Sequence, residues 1–168
     1  MVLVFEKLDM SLLDLLKIAN FQGFTLNVIA KFGEQILSGL KILKRKHIVH
    51  CDLKPENILL MNKTTHRLKI IDLGSACSEK HFPFQYIQSR YYRSPEVMLG
   101  LPLSPAIDVW SVGCILMELY LGIPIFPGSS GYDQLFKIFE ILGLPNQELI
   151  HRCEHKSKYF VYEGNSYR

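Results

Sequence analysis

One segment fixes most of what this chain can become. Across residues 25–46, Leu26, Ile29, Phe32, Ile36, Leu37, Leu40 and Leu43 recur at steps of three and four. They fall on one continuous apolar stripe of an α-helix. A stripe of that length needs cover from other elements, so the chain is expected to build a helical layer around a shared core. Residues 107–121 (IDVWSVGCILMELYL) are apolar nearly all round and predict a buried helix. Residues 134–142 predict an amphipathic helix, Pro145 precedes a shorter one near Gln147, and Ser11 is placed to cap a first helix through LLDLLK. Strands are expected at residues 2–5 (VLVF), 47–49, 58–60 and 68–71, runs too short for helices and bounded by turn residues. Residues 72–94 are polar and irregular, and connections of that length are usually functional.

The 168 residues are 48% hydrophobic, enough for one domain with a sizeable core. The net charge of +3 is mild, and the run Lys41, Lys44, Arg45, Lys46 sits where a helix end favours cations. No nucleic-acid partner is expected. The four cysteines form no CxxC pair and no cleavable signal opens the chain, which predicts an intracellular, cytoplasmic or nuclear protein without disulfides. The apolar residues 109–125 are broken by Ser111, Glu118 and Gly122, so no membrane association is expected, and neither a repeat nor a low-complexity linker is seen.

The chemistry concentrates in residues 50–60, HCDLKPENILL. Asp52 and Asn57 lie five apart on a loop leaving a strand, and Asp72 opens a second loop after the strand LKII. The two loops can converge on one point. The amide oxygen of Asn57 and the carboxylate of Asp72 are hard oxygen ligands suited to Mg²⁺, which takes its remaining ligands from water and substrate phosphates. Asp52 is then free to accept a proton from an attacking hydroxyl, and Lys54 to neutralise charge on a transferred phosphoryl group.

HCDLKPEN resembles the catalytic loop of protein kinases, Asp72-Leu73-Gly74 their metal-binding DFG element, and Ser94-Pro95-Glu96 their APE element, in the same order. The segment from Asp108 resembles the start of the buried helix that anchors that loop. HCDLKPENILL, QYIQSRYYRSPEVMLG and AIDVWSVGCILMEL together are similar to the dual-specificity tyrosine-phosphorylation-regulated kinases, the DYRK family of the CMGC group, with homeodomain-interacting kinases the nearest alternative.

The resemblance implies a protein kinase-like α+β fold. It is represented here by residues 1–168 as a partial kinase domain, from the hinge through most of the mainly helical C-lobe, with short strands around the active loops. It also implies ATP with Mg²⁺ as cofactors, and proline-directed Ser or Thr phosphorylation of protein substrates by a monomer. For the nucleotide, Phe5 would be the gatekeeper, Glu6 and Leu8 would meet the adenine edge through their backbone, and Leu59 would close the pocket from below. His50 would pack beneath the metal-binding loop, and Glu96 would pair with an arginine of a later helix, Arg152 being a substitute within the chain.

Tyr86 precedes Arg90 by four and Arg93 by seven, so a turn-like backbone would bring both guanidinium groups to one phosphate. Phe84-Gln85-Tyr86 aligns with the family's Tyr-x-Tyr and keeps the second tyrosine, the site of autophosphorylation. The alternative reads these tyrosines as packing aromatics. His47, His50 and Cys51, and separately His151, Cys153 and His155, leave zinc readings open. Leu73 replaces the usual Phe in an apolar stack, and Cys51 the usual Arg, a change DYRK members share. No glycine-rich loop, VAIK-type lysine or partner helix is found, so the chain alone is expected to be inactive, and a pseudokinase or substrate-docking module is the alternative reading.

Overall fold

The computed structural model describes residues 2–62, 64–84, 86–164 and 166–167. Helix α1 (Leu12–Ile18) begins in a reciprocal cap: the Ser11 side chain accepts from the Asp14 N–H, and the Asp14 carboxylate accepts from the Ser11 N–H. Helix α2 (Leu26–Arg45) turns Ile29, Phe32, Gly33, Ile36 and Leu40 inward. Those residues meet helix α4 (Ala106–Leu121), whose Val112, Ile115 and Leu119 share the same core cluster. Burying each such aliphatic side chain contributes roughly 1.5–3 kcal/mol, so this seam is the centre of stability.

Between the two long helices lie the elements that carry the active loops. Strand β1 (Ile48–Val49) pairs antiparallel with β4 (Cys77–Ser78), and β2 (Ile58–Asn62) pairs antiparallel with β3 (Thr65–Ile70), Ile58 facing Ile70. The second pairing matters most for position. It brings residue 57, just before β2, beside residue 71, just after β3, and the Ile71 N–H donates to the Asn57 carbonyl at 2.9 Å. Short helices α3 (Pro95–Leu99), α5 (Gly131–Leu142), α6 (Gln147–Arg152) and α7 (Lys156–Tyr159), with the hairpin β5 (Tyr162–Glu163) and β6 (Ser166–Tyr167), complete the described chain.

Three expectations change. Residues 2–5 form no strand: Val2, Leu3, Val4 and Phe5 are exposed, because no described strand lies alongside to pair with them. Helix α4 is not buried all round, since Val109, Met117, Tyr120 and Leu121 reach solvent. The irregular stretch 72–94 contains β4 and two short 3₁₀ turns, Leu73–Ser75 and Arg90–Tyr92. Helix α3, only five residues long, leaves too little periodicity to be read in advance.

Candidate active site

The loop 50–57 is held from below by one buried carboxylate. Asp108, in the first turn of α4, accepts from the His50 N–H at 2.7 Å and the Cys51 N–H at 3.0 Å. Cys51 has φ 66, a left-handed conformation that costs a residue with a Cβ about 1–2 kcal/mol. Two charge-assisted bonds at the same peptides offset that strain. Burial pushes the Asp108 carboxyl above the ordinary Asp value, although both N–H donors pull the other way.

His50 is fully buried. Its Nε2 donates to the Ile71 carbonyl at 2.9 Å and its Nδ1 accepts from the Asp52 N–H at 3.3 Å, so the hydrogen-bond pattern assigns the proton to Nε2. The ring therefore links the catalytic-type loop to the residue before Asp72.

Asp52 is the most heavily bonded group of the site. One carboxylate oxygen accepts from the Ser89 N–H at 3.1 Å and hydroxyl at 2.7 Å; the other accepts from Lys54 Nζ at 2.8 Å. Lys54 Nζ also reaches the Ser89 hydroxyl at 3.2 Å. Partial burial by itself pushes the Asp52 carboxyl up, but the bonds from Lys54 and Ser89 and the Lys54 charge outweigh it and hold the group below the ordinary Asp value. The buried Asn57 donates its amide to the Asp52 carbonyl at 2.9 Å, which leaves its side-chain oxygen without a partner among the described residues. Asp72, at φ 64, accepts from the Gly74 N–H with one carboxylate oxygen, a local bond that lets an Asp occupy the left-handed region. Its other oxygen is uncommitted among the described residues. An amide oxygen and a carboxylate oxygen, on loops fixed by the 57–71 pairing, suit a small hard cation.

Sequence reasoning missed the residues that tie residues 88–94 into this centre. Gln88, buried at φ 67, donates to the Ile107 carbonyl and the Ser111 hydroxyl, both at 2.8 Å, and accepts from the Ser94 N–H at 2.9 Å. Its own carbonyl accepts from Arg93 Nη2 at 2.6 Å. Tyr92 donates to the buried Glu118 at 2.6 Å, and burial first, then Glu56, pushes the Glu118 carboxyl up. The partners on α4, Ile107, Ser111 and Glu118, are distant in sequence, so no local pattern announces them.

Other expected residues are placed as follows. Phe5 and Glu6 are exposed, Leu8 and Leu59 half-buried, and Glu6 pairs with Lys69. Leu59 bridges backbone to backbone with Ser11. Leu73 is exposed on a shallow apolar cavity of about 310 Å³ with Ile36, Gly39 and Ile70, not stacked in the core. Tyr86 is exposed, with the Arg93 guanidinium 3.9 Å from its ring centroid, and Gln85 lies outside the described residues. The two arginines do not converge. Arg90 Nη1 donates to the Ser129 carbonyl at 2.8 Å, because the Arg90–Tyr92 turn directs it toward the start of α5. Glu96 has a buried carboxylate oxygen with no partner among the described residues, and Arg152 is exposed and not paired with it.

Among the described residues the zinc readings find no cluster, for the side chains are engaged apart. His47 pairs with Glu79, His151 packs on Tyr167, Cys153 donates to the Leu149 carbonyl and His155 meets the Met98 carbonyl. Cys51 and Cys77 are free thiols with sulfurs 3.5 Å apart.

Asp52 bonded by Lys54 and Ser89, the oxygens of Asn57 and Asp72 on loops joined by the 57–71 pairing, and helix α4 holding the first of those loops through Asp108 together make up the candidate site. The chain belongs to the protein kinase domain family, which it matches over residues 1–162. Its relatives sharpen the placement. It is 49% identical over 164 residues to the probable serine/threonine-protein kinase dyrk2 of Dictyostelium discoideum, 98% of this chain and 18% of that protein. It is 50% identical over 157 residues to the dual specificity protein kinase YAK1 of Saccharomyces cerevisiae, 94% and 20%. It is 47% identical over 162 residues to the human dual specificity tyrosine-phosphorylation-regulated kinase 4, 96% and 31%. The chain spans less than a third of the length of each of these relatives.

Proposed function

We propose that this chain carries the catalytic loops of a Ser/Thr protein kinase of the dual-specificity type, transferring the γ-phosphate of ATP to protein hydroxyls. The observation that carries the reading is Asp52, its carboxyl held below the ordinary Asp value by Lys54 and Ser89, on a loop whose Asn57 is joined by a backbone bond to the residue before Asp72. Asp52 accepts the proton of the substrate hydroxyl, and Lys54 balances charge growing on the phosphoryl group. Asn57 and Asp72 would hold Mg²⁺, whose charge would offset that of the phosphates. Glu6 and Leu8 would meet the adenine edge, with Phe5 behind it and Leu59 beneath. The relatives' names all describe kinases, which favours catalysis over the docking-module reading.

Two finer assignments follow. The Gln88 carbonyl is occupied by Arg93, so the residue after the target finds no acceptor there for an N–H, and proline, which has none, loses nothing. That supports proline-directed selection. Arg93 is buried, its Nη1 has no partner among the described residues, and it lies against Tyr86, so phosphate on Tyr86 would meet a waiting cation. Arg90 would join only by leaving Ser129. A monomeric, cytoplasmic or nuclear enzyme without nucleic-acid or membrane contacts completes the proposal; among the described residues no helix is long and apolar enough to cross a membrane.

The test is phosphate transfer from ATP to a Ser-Pro peptide by the full-length protein carrying this chain. Asp52→Asn is expected to lower kcat by about 10²–10⁴-fold. Activity within threefold of the parent would remove Asp52 from the role of base.

A further inference from the structure

A cavity of about 600 Å³ opens beside the proposed centre. Its lining joins Lys54 and Ser89 of the centre to the apolar Leu13, Phe21, Ile123 and Pro124. Phe21 and Ile123 are 47% and 61% exposed, although both are large apolar residues in contact with a concave wall. A second cavity, of about 370 Å³, is lined by Asp52, Gln88 and Ser89, and Gln88 does not line the first. With the residue after the target assigned to Gln88, the larger cavity is left for the residues that precede it.

The apolar wall is built rather than incidental. The loop after α1 and the loop after α4 interlock: a Cβ on Gly122 would stand 1.8 Å from the Phe21 carbonyl oxygen, and one on Gly23 would stand 2.1 Å from that of Tyr120. The Phe24 N–H donates to the Leu119 carbonyl at 2.8 Å, closing the same contact. Phe21 itself is held at φ 56, a strained conformation for a bulky residue, which sets its ring at the cavity mouth. The same lining includes Glu56, an exposed carboxylate that makes no ion pair with a described residue.

We infer that Phe21 and Ile123 form a specificity subsite for a large apolar side chain on the N-terminal side of the substrate's target hydroxyl. The occupant is a stretch of the protein substrate itself, continuous with the segment at Asp52. The inference rests on the kinase reading for what the occupant is, but its test reads binding. A cavity of about 600 Å³ is roughly 10 Å across, and at about 3.3 Å per extended residue that puts the apolar position about two to four residues before the target.

The experiment is a fluorescence-anisotropy titration of this chain with fluorescein-labelled Ser-Pro peptides carrying one arginine. A leucine is moved through those positions and compared with serine at the same place. One position is expected to bind about tenfold tighter with leucine, the effect of burying most of one aliphatic side chain. Phe21→Asn, which tolerates the left-handed backbone, and separately Ile123→Ser, are each expected to collapse that leucine-to-serine ratio toward one. No preferred position, a preference that survives both substitutions, or no peptide binding at all would overturn the subsite. Repeating the titration with Asp52→Asn separates the two readings. A leucine preference retained there, alongside a full-length protein that transfers no phosphate, would keep the subsite and discard the kinase.

Discussion

The loop 50–57 and the segment 2–8 would touch two ends of the same nucleotide, yet they are built differently. The loop is bonded on every side: to Asp108 below, to Ile71 through His50, and to Ser89 through Asp52. In the segment, the side-chain bond is the exposed pair Glu6–Lys69, and the first backbone bond from this end of the chain is Asp9 N–H to the Leu60 carbonyl. Charge chemistry at the phosphate end demands fixed groups, because electrostatic stabilisation is strongest when nothing has to reorient. Adenine recognition by backbone and apolar walls tolerates a looser scaffold.

The sharpest way to break that contrast is Asp108→Ala. It leaves the His50 and Cys51 N–H groups buried without acceptors and the strained Cys51 peptide unsupported, and is expected to cost about 3–5 kcal/mol, read as a large fall in the denaturation midpoint. A loss under 1 kcal/mol would mean that the loop holds its own shape. Ser89→Ala should act on chemistry more than on stability. Removing the hydroxyl donor lets the Asp52 carboxyl rise, so the acid limb of kcat/KM in the full-length protein shifts to higher pH, and an unmoved limb would show that Lys54 and the residue-89 N–H set the carboxyl without the hydroxyl.

Glu118→Gln tests the buried acid by its pH signature. A carboxyl raised in the folded state favours folding less as pH rises from its unfolded value of 4.5 through its higher folded value. The glutamine variant should therefore gain on the parent across that window, by roughly 1 kcal/mol, and lose its advantage in stronger acid. The difference in melting temperature between pH 4 and pH 7 decides it. Smallest of all, Val4→Ser, in the exposed segment, should move stability by no more than about 0.5 kcal/mol. A larger change would show that residues 2–5 pack on a surface.

These contrasts also explain what the sequence made legible. The stripe on α2 and the cap at Ser11 follow from local chemistry, and the cluster from Asp52 to Asn57 carries its roles within six residues. Gln88 and Ser89 were invisible because their partners lie at positions 107, 111 and 52. Arg90 illustrates the same limit: its spacing from Tyr86 is local, whereas its acceptor in this structure is the carbonyl of Ser129. VLVF has strand composition, but strand formation needs a neighbour that no composition supplies.

Gln88 has a kinetic consequence. Its amide nitrogen grips α4, its amide oxygen holds the Ser94 N–H, and its carbonyl holds Arg93, while the next residue is anchored on Asp52. None of these ties can let go singly without straining the rest. The foot of this segment should therefore open as a unit, and the amide protons of Ser89 and Ser94 should exchange with solvent at one shared rate, slower than those of the exposed stretch around Phe84.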